Sequence, residues 1–127
     1  IMMDLDQFKK INDLHGHDAG DCILKEFSRS ISPLMRKGDE FARIGGEEFM
    51  IIVADADMET AYALAERLLD GISKLRVSYK NKLLNITMSV GITQVCSSDT
   101  YFDQVFCRAD RALYQSKKQG RNQITSY

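Results

Sequence analysis

The chain has 127 residues, 44% hydrophobic and 28% charged, with a net charge of −1. That suits one soluble globular domain with a sizeable core, and no apolar run approaches the roughly 20 residues that crossing a bilayer demands. A charge so near zero gives no general pull toward nucleic acid or membrane, and the three scattered cysteines, Cys22, Cys96 and Cys107, fit a reducing cytoplasm and small apolar packing roles rather than disulfides or metal.

Ile1–Leu5 reads as the end of a buried strand, and a chain that opens in mid-strand reads as a piece of a longer protein. A short helix is predicted over Gln7–Leu14, with Phe8 and Ile11 inward and Gly16 as its stop. A second spans Gly20–Leu34, carrying Ile23, Leu24, Phe27 and Ile31 on one face, with Pro33 in a kink or final turn. Strands over Glu40–Ile44 and Glu48–Ala54 flank Gly45-Gly46. Paired glycines between apolar runs signal a β-hairpin, because glycine accepts positive φ at no steric cost.

Met58–Leu75 is the clearest helix, with Ala61, Leu64, Ala65, Leu68 and Ile72 at helical spacing. The Asp55-Ala56-Asp57 acids before it read as a solvated turn and N-cap. Arg76–Tyr79 and Leu83–Cys96 are predicted as a hairpin turning at Lys80-Asn81-Lys82. Phe102–Lys118 is a third long helix with Phe102, Val105, Phe106, Ala109 and Leu113 inward, Tyr114 on the same stripe, and Gly120 at C′. Ile124–Tyr127 adds an edge strand. The expected fold class is α+β: a mainly antiparallel central sheet flanked by helices.

Three segments carry chemistry. In Asp4-Leu5-Asp6, Asp4 sits where a buried strand ends, and a carboxylate there is costly unless paired or metal-bound; Asp6 reads as a helix N-cap. Glu47-Glu48 puts two hard oxygen donors on the turn, suited to Mg²⁺. Lys117-Lys118-Gln119-Gly120-Arg121 ends a helix in cations, which the helix dipole favours and phosphates would too. His15 and His17 flank a glycine as loop residues, with no third ligand placed for zinc.

Together these segments resemble the GGDEF family of diguanylate cyclases. Asp4, the Phe8-Lys9-Lys10-Ile11-Asn12-Asp13 run, the Gly16-His17-Asp18-Ala19-Gly20-Asp21 loop, the Gly45-Gly46-Glu47-Glu48-Phe49 turn, the Ser89–Ile92 strand and the Ala109–Asn122 helix follow the family's order. Any one match is weak and the ordered set is not. The resemblance covers nearly the whole chain, as a single domain over 1–127 that lacks the family's N-terminal lead-in, with a fold like the palm of nucleotidyl cyclases and polymerases.

The resemblance implies condensation of two GTP into cyclic di-GMP, with release of pyrophosphate, by a homodimer under the control of regulatory or sensory domains. Asp4, Glu47 and the Leu5 carbonyl would hold Mg²⁺ or Mn²⁺. Glu48 would be a second metal contact or help deprotonate the hydroxyl. Asn12 and Asp21 would read guanine; Lys9, Lys117 and Arg121 would bind phosphates; Gly45 and Gly46 would make room for the nucleotide. Arg36 and Asp39, with Arg43 contributing, match the family's Arg-x-x-Asp product-inhibition site. The implied location is cytoplasmic, with a membrane anchor elsewhere in the parent left open. The alternative is a non-catalytic GTP or cyclic di-GMP receptor. A template-using polymerase palm ranks far below both, since neither charge nor length suits a nucleic acid polymer.

Overall fold

The computed structural model describes residues 1–127. In chain order the elements are β1 (Met2–Leu5), α1 (Phe8–His15), α2 (His17–Ile31), a 3₁₀ turn (Ser32–Leu34), β2 (Glu40–Arg43), β3 (Glu48–Ile52), α3 (Met58–Lys74), β4 (Arg76–Tyr79), β5 (Lys82–Asn85), β6 (Met88–Ile92), α4 (Phe102–Lys118) and β7 (Ile124–Ser126). Five strands form one sheet in the order β2-β3-β1-β6-β7, antiparallel except for the β6–β7 pair. β4 and β5 form a separate ribbon, turning through Lys80 and Asn81 at φ 44° and 63°. Two successive positive φ values make the hairpin turn whose twist matches its strands.

Strand alternation divides the sheet into two faces. Met3 and Leu5 of β1, Phe49 and Ile51 of β3, and Met88, Val90 and Ile92 of β6 join Ile23 and Phe27 of α2 and Leu64 and Leu68 of α3 in the main core. Met2 meets Ala109 and Leu113 of α4 on the other side, with Met50 and Phe106 packed alongside. Asp4 lies on that second face by the same period of two, directly across from Glu48 on one neighbour and Ser89 on the other. Phe49 anchors this register. It is buried with its ring 4.6 Å from that of Phe27 and 5.7 Å from that of Phe41, worth about 1.5–3 kcal/mol in apolar burial. A slip of one residue would put Phe49 on the helix-α4 face and Glu48 in the core.

Gly91 decides how close α4 comes. A Cβ there would meet the Ala109 carbonyl oxygen and the Leu113 nitrogen at 2.3 Å each, so α4's backbone lies directly on β6. Buried Ser116 completes that contact, donating from Oγ to the Val90 carbonyl at 2.7 Å.

Several boundaries depart from the sequence reading. The single strand expected over Leu83–Cys96 is two: β5 belongs to the ribbon and β6 to the main sheet, because the chain changes sheets at Ile86-Thr87. α2 begins at His17, three residues early, since Gly16 (φ 87°) separates the two helices and Gly20 lies inside one. His15 and His17 are therefore helix-end residues, not loop residues. Gly45 and Gly46 do not have positive φ, and four residues, Ile44–Glu47, join the two strands. Phe102 and Tyr114 face solvent at 53% and 54% exposure, because α4's inward stripe is Ala109, Ala112, Leu113 and Ser116. Cys96 and Cys107 are exposed, so only Cys22 packs against the core.

Candidate active site

Asp4 is 7% exposed at the end of β1. Its carboxylate meets Lys117 Nζ, from the last turn of α4, at 2.6 Å. Burial raises its pKa above the usual carboxylate range, Lys117 opposes that shift, and the charges of Glu47 and Glu48 add to it. Like charges crowded at the end of a buried strand are a strain that a divalent cation relieves. The donors are carboxylate oxygens, the hard ligands Mg²⁺ takes. No three His, Cys, Asp or Glu side chains converge closely enough to hold an ion as they stand; Asp4 is turned to Lys117 instead. The donor chemistry fits the cation, and exchange of Lys117 for metal is the rearrangement it requires.

The Gly45-Gly46 loop is held by backbone. Ile44 and Gly45 N–H groups donate to the Glu48 carbonyl at 2.9 and 3.3 Å, and the Leu5 N–H donates to the Glu47 carbonyl at 3.2 Å. Arg43 braces the same loop: Nε donates to the Gly45 and Gly46 carbonyls at 3.1 and 3.0 Å, and an Nη to Gly46 at 2.8 Å. A Cβ at Gly45 would lie 2.9 Å from Glu48 Oε2, whereas one at Gly46 would meet nothing within 4 Å. Gly45 is thus small to seat the Glu48 carboxylate, and Gly46 leaves the loop's outer surface open.

Beside the loop lies a cleft of about 440 Å³, lined among others by Lys9, Asn12, His17, Asp21, Gly46 and Glu47. α1 and α2 present its polar wall. Gly20 permits this, because a Cβ there would fall 2.0 Å from Asn12 Oδ1. That oxygen is buried against Gly20 without a hydrogen-bond partner, while Asn12 as a residue lines the cleft. Asp21 is exposed at the rim.

α4 delivers the cations. Lys117 is in its final turn and Arg121 follows Gly120, which has φ 120°. Arg121 is exposed and its guanidinium makes no hydrogen bond or ion pair within the chain. Asp4, Glu48 and Lys117 meet at the strand end; Lys9, Asn12, Asp21, Gly46 and Glu47 share the cleft; Arg121 belongs to neither group by contact.

Arg36 and Asp39 form a turn just before β2, at the opposite end of that strand from cleft-lining Arg43. Asp39 has a side chain only 2% exposed, accepts the backbone N–H groups of Arg36 at 2.9 Å and Ala54 at 3.2 Å, and lies 3.8 Å from Arg36 Nε. The Arg36 side chain is 56% exposed. Arg43 makes no contact with either, being engaged by the loop carbonyls.

The sequence reading missed two residues. Asp6 does not cap α1; Gln7 holds that position at φ 56°. Asp6 is buried, with its carboxylate accepting from Thr87, Ser89 and Asn122. Its short reach past a buried strand, next to an N-cap slot that any residue could fill, was the available signal. Arg43's brace had none, because a side chain reaching forward to carbonyls two and three residues on leaves no pattern.

A mainly antiparallel sheet, acids at the end of its central strand and an adjoining polar cleft make a palm-like nucleotidyl cyclase domain. The profile described as "Diguanylate cyclase, GGDEF domain" matches residues 1–123, and the chain belongs to that family. It is 38% identical over 125 residues to diguanylate cyclase A of Treponema denticola, covering 98% of this chain and 34% of that protein. Among solved structures, diguanylate cyclase SiaD of Pseudomonas aeruginosa, in complex with its activator SiaC, superposes with a TM-score of 0.95 at 36% identity, over 99% of this chain and 48% of SiaD. The GGDEF domain of DgcB from Caulobacter crescentus, in complex with c-di-GMP, gives 0.93 at 30% identity, over 98% and 74%. The chain spans between 12% and 34% of the length of the curated relatives it matches. No helix is long and apolar enough to cross a membrane.

Proposed function

We propose that this domain is a diguanylate cyclase that joins two GTP molecules into cyclic di-GMP and releases pyrophosphate. The observation that carries the reading is a single cleft that Lys9, Asn12 and Asp21 line together with Gly46 and Glu47 of the loop. A guanine edge with N1–H and N2–H₂ satisfies Asn12 and Asp21 in a way adenine does not. The triphosphate then extends toward Glu47, Asp4 and Lys117. Lys9, Lys117 and Arg121 bind the phosphates, and the open face of Gly46 lets the nucleotide pass close to the backbone.

Asp4, Glu47 and the Leu5 carbonyl would hold Mg²⁺ or Mn²⁺, with Glu48 as a further contact; when bound, the cation supplies charge neutralisation and polarises the attacked phosphate. Lys117, released from Asp4, shifts its charge to the phosphates. Glu48, seated against Gly45, would otherwise help deprotonate the attacking 3′-hydroxyl. Each domain holds one GTP, so the reaction needs two domains face to face, arranged by regulatory segments of the whole protein. Arg36 with Asp39 serves as a product site, with the exposed Arg36 guanidinium facing guanine and the buried Asp39 holding the turn.

Incubation of the whole protein with GTP and Mg²⁺, with the product identified by mass, tests this reading. Cyclic di-GMP is expected, and in Arg36→Ala its accumulation should no longer slow the reaction. A dimeric protein that binds GTP without forming product would establish the receptor reading.

A further inference from the structure

Two contacts tie the end of α4 to the end of β1. One is the Lys117–Asp4 ion pair at 2.6 Å. The other lies five residues on, where the Asn122 N–H donates to Asp6 Oδ2 at 3.1 Å. Asp6 is 5% exposed. Thr87 Oγ1 also donates to its Oδ2, and Ser89 Oγ to its Oδ1, each at 2.7 Å. No cation pairs with it, so three hydrogen bonds compensate the buried charge. The two hydroxyls fix the carboxylate against β6. The third donor belongs to a reversal in which Gly120, Arg121 and Asn122 have φ of 120°, 66° and 45°. Side-chain-bearing residues seldom adopt such angles in succession, and they persist only when surroundings impose them. The Arg121 N–H to the Ser116 carbonyl, at 3.0 Å, closes the start of the reversal; Asp6 closes its end.

Ligand binding acts differently on the two anchors. On the functional reading above, Asp4 turns to the cation and Lys117 to the phosphates, so the first anchor breaks as substrate enters. The second contains no group that the substrate calls away. We propose that Asp6 is a positioning residue for polyphosphate binding: it keeps the 120–122 reversal docked while Lys117 leaves Asp4, so that Arg121 meets the phosphates from a fixed backbone. The proposal rests on the assignment of Lys117 and Arg121 to the phosphates.

The test compares equilibrium binding, by calorimetry on the whole protein, of GMP and of a GTP analogue with a methylene bridge between the α and β phosphorus atoms. In Asp6→Ala, affinity for the analogue should fall about tenfold, the size of one charge-assisted contact, while affinity for GMP changes less than about twofold. Asp6→Ala combined with Arg121→Ala should bind no more weakly than Arg121→Ala alone, since both remove one interaction. Asp6→Asn should restore most of the loss, because its amide oxygen accepts from Asn122 while its nitrogen donates to the Ser89 hydroxyl. Equal weakening of both ligands, or losses that multiply in the double variant, would overturn the positioning role. A wild type that binds the analogue no better than GMP overturns the phosphate assignment, and the proposal with it. Should Asp6→Ala not fold, hydrogen exchange at the Asn122 amide of the wild type decides: protection retained with the analogue bound supports the anchor, and protection lost on binding refutes it.

Discussion

Glu47 and Glu48 are adjacent acids in different settings. Glu48 lies in β3 across from Asp4, with its carboxylate held over Gly45. Glu47 is in the loop, with its carbonyl tied to Leu5 and its side chain on the cleft. Glu47→Ala should therefore lower turnover by about 10²–10³-fold, the cost of losing one preorganised electrostatic contact, while the thermal midpoint stays within a few degrees. Normal activity in that variant would remove Glu47 from the metal site. Asn12 depends on a residue eight positions away. Gly20→Ala would push a methyl into Asn12 Oδ1, which a short amide side chain can escape only by leaving its place. We expect GTP affinity about tenfold weaker, the equivalent of one or two base hydrogen bonds, with reduced preference over ATP. Unchanged selectivity in calorimetric titrations would show that Asn12 does not read the base.

Elements, rather than single side chains, set the distance between the acids and the cations. α4 lies on β6 because Gly91 has no side chain, and the atoms a Cβ would strike there are backbone, which cannot rotate away. Gly91→Ala should cost about 1–3 kcal/mol, the usual range for overpacking, and should weaken GTP binding by moving Lys117 from Asp4; a chemical denaturation curve identical to wild type would show that α4 tolerates the shift. The loop between β6 and α4 has its own clamp. Arg108 donates twice to Asp99 at 2.6 Å, and also to the Gln94 carbonyl and Thr93. The guanidinium holds the Asp99 carboxyl down at about 2, against an ordinary value of 3.8. Because the folded value is the lower one, the pair's contribution is complete above about pH 4 and is lost as pH falls through 2. Arg108→Gln should show a shallower loss of stability than wild type over that window in thermal unfolding. Parallel curves would mean that the clamp contributes nothing to acid sensitivity.

At the scale of the molecule, the proposed function puts one nucleotide in one cleft, and the proposed reaction needs two. Product formation per domain should rise with protein concentration until a dimer is saturated, then level off, as read by initial rates across a dilution series. A rate per domain that is flat over the whole dissociation range would place both nucleotides on one chain. The two faces of the sheet divide the labour between them. One buries Phe27, Phe49, Leu64 and their neighbours, which hold the domain together. The other carries Asp4, Glu48, Ser89 and Gly91 toward α4, beside the smaller apolar cluster of Met2, Ala109 and Leu113.

The elements that the chain's own periodicity marks were legible from sequence. α3 and α4 repeat at helical spacing, Asp57 caps its helix through Thr60 three residues on, and the signature turn joins two apolar runs. Each of these depends on residues within a few positions of one another, so composition and spacing determine them. Asp6 is different: its partners lie 81, 83 and 116 positions away. The Lys117–Asp4 pair and the break between β5 and β6 are of the same kind. Such contacts arise only when the sheet closes and α4 settles on it, and long-range packing leaves no local pattern for a reader of the chain to find.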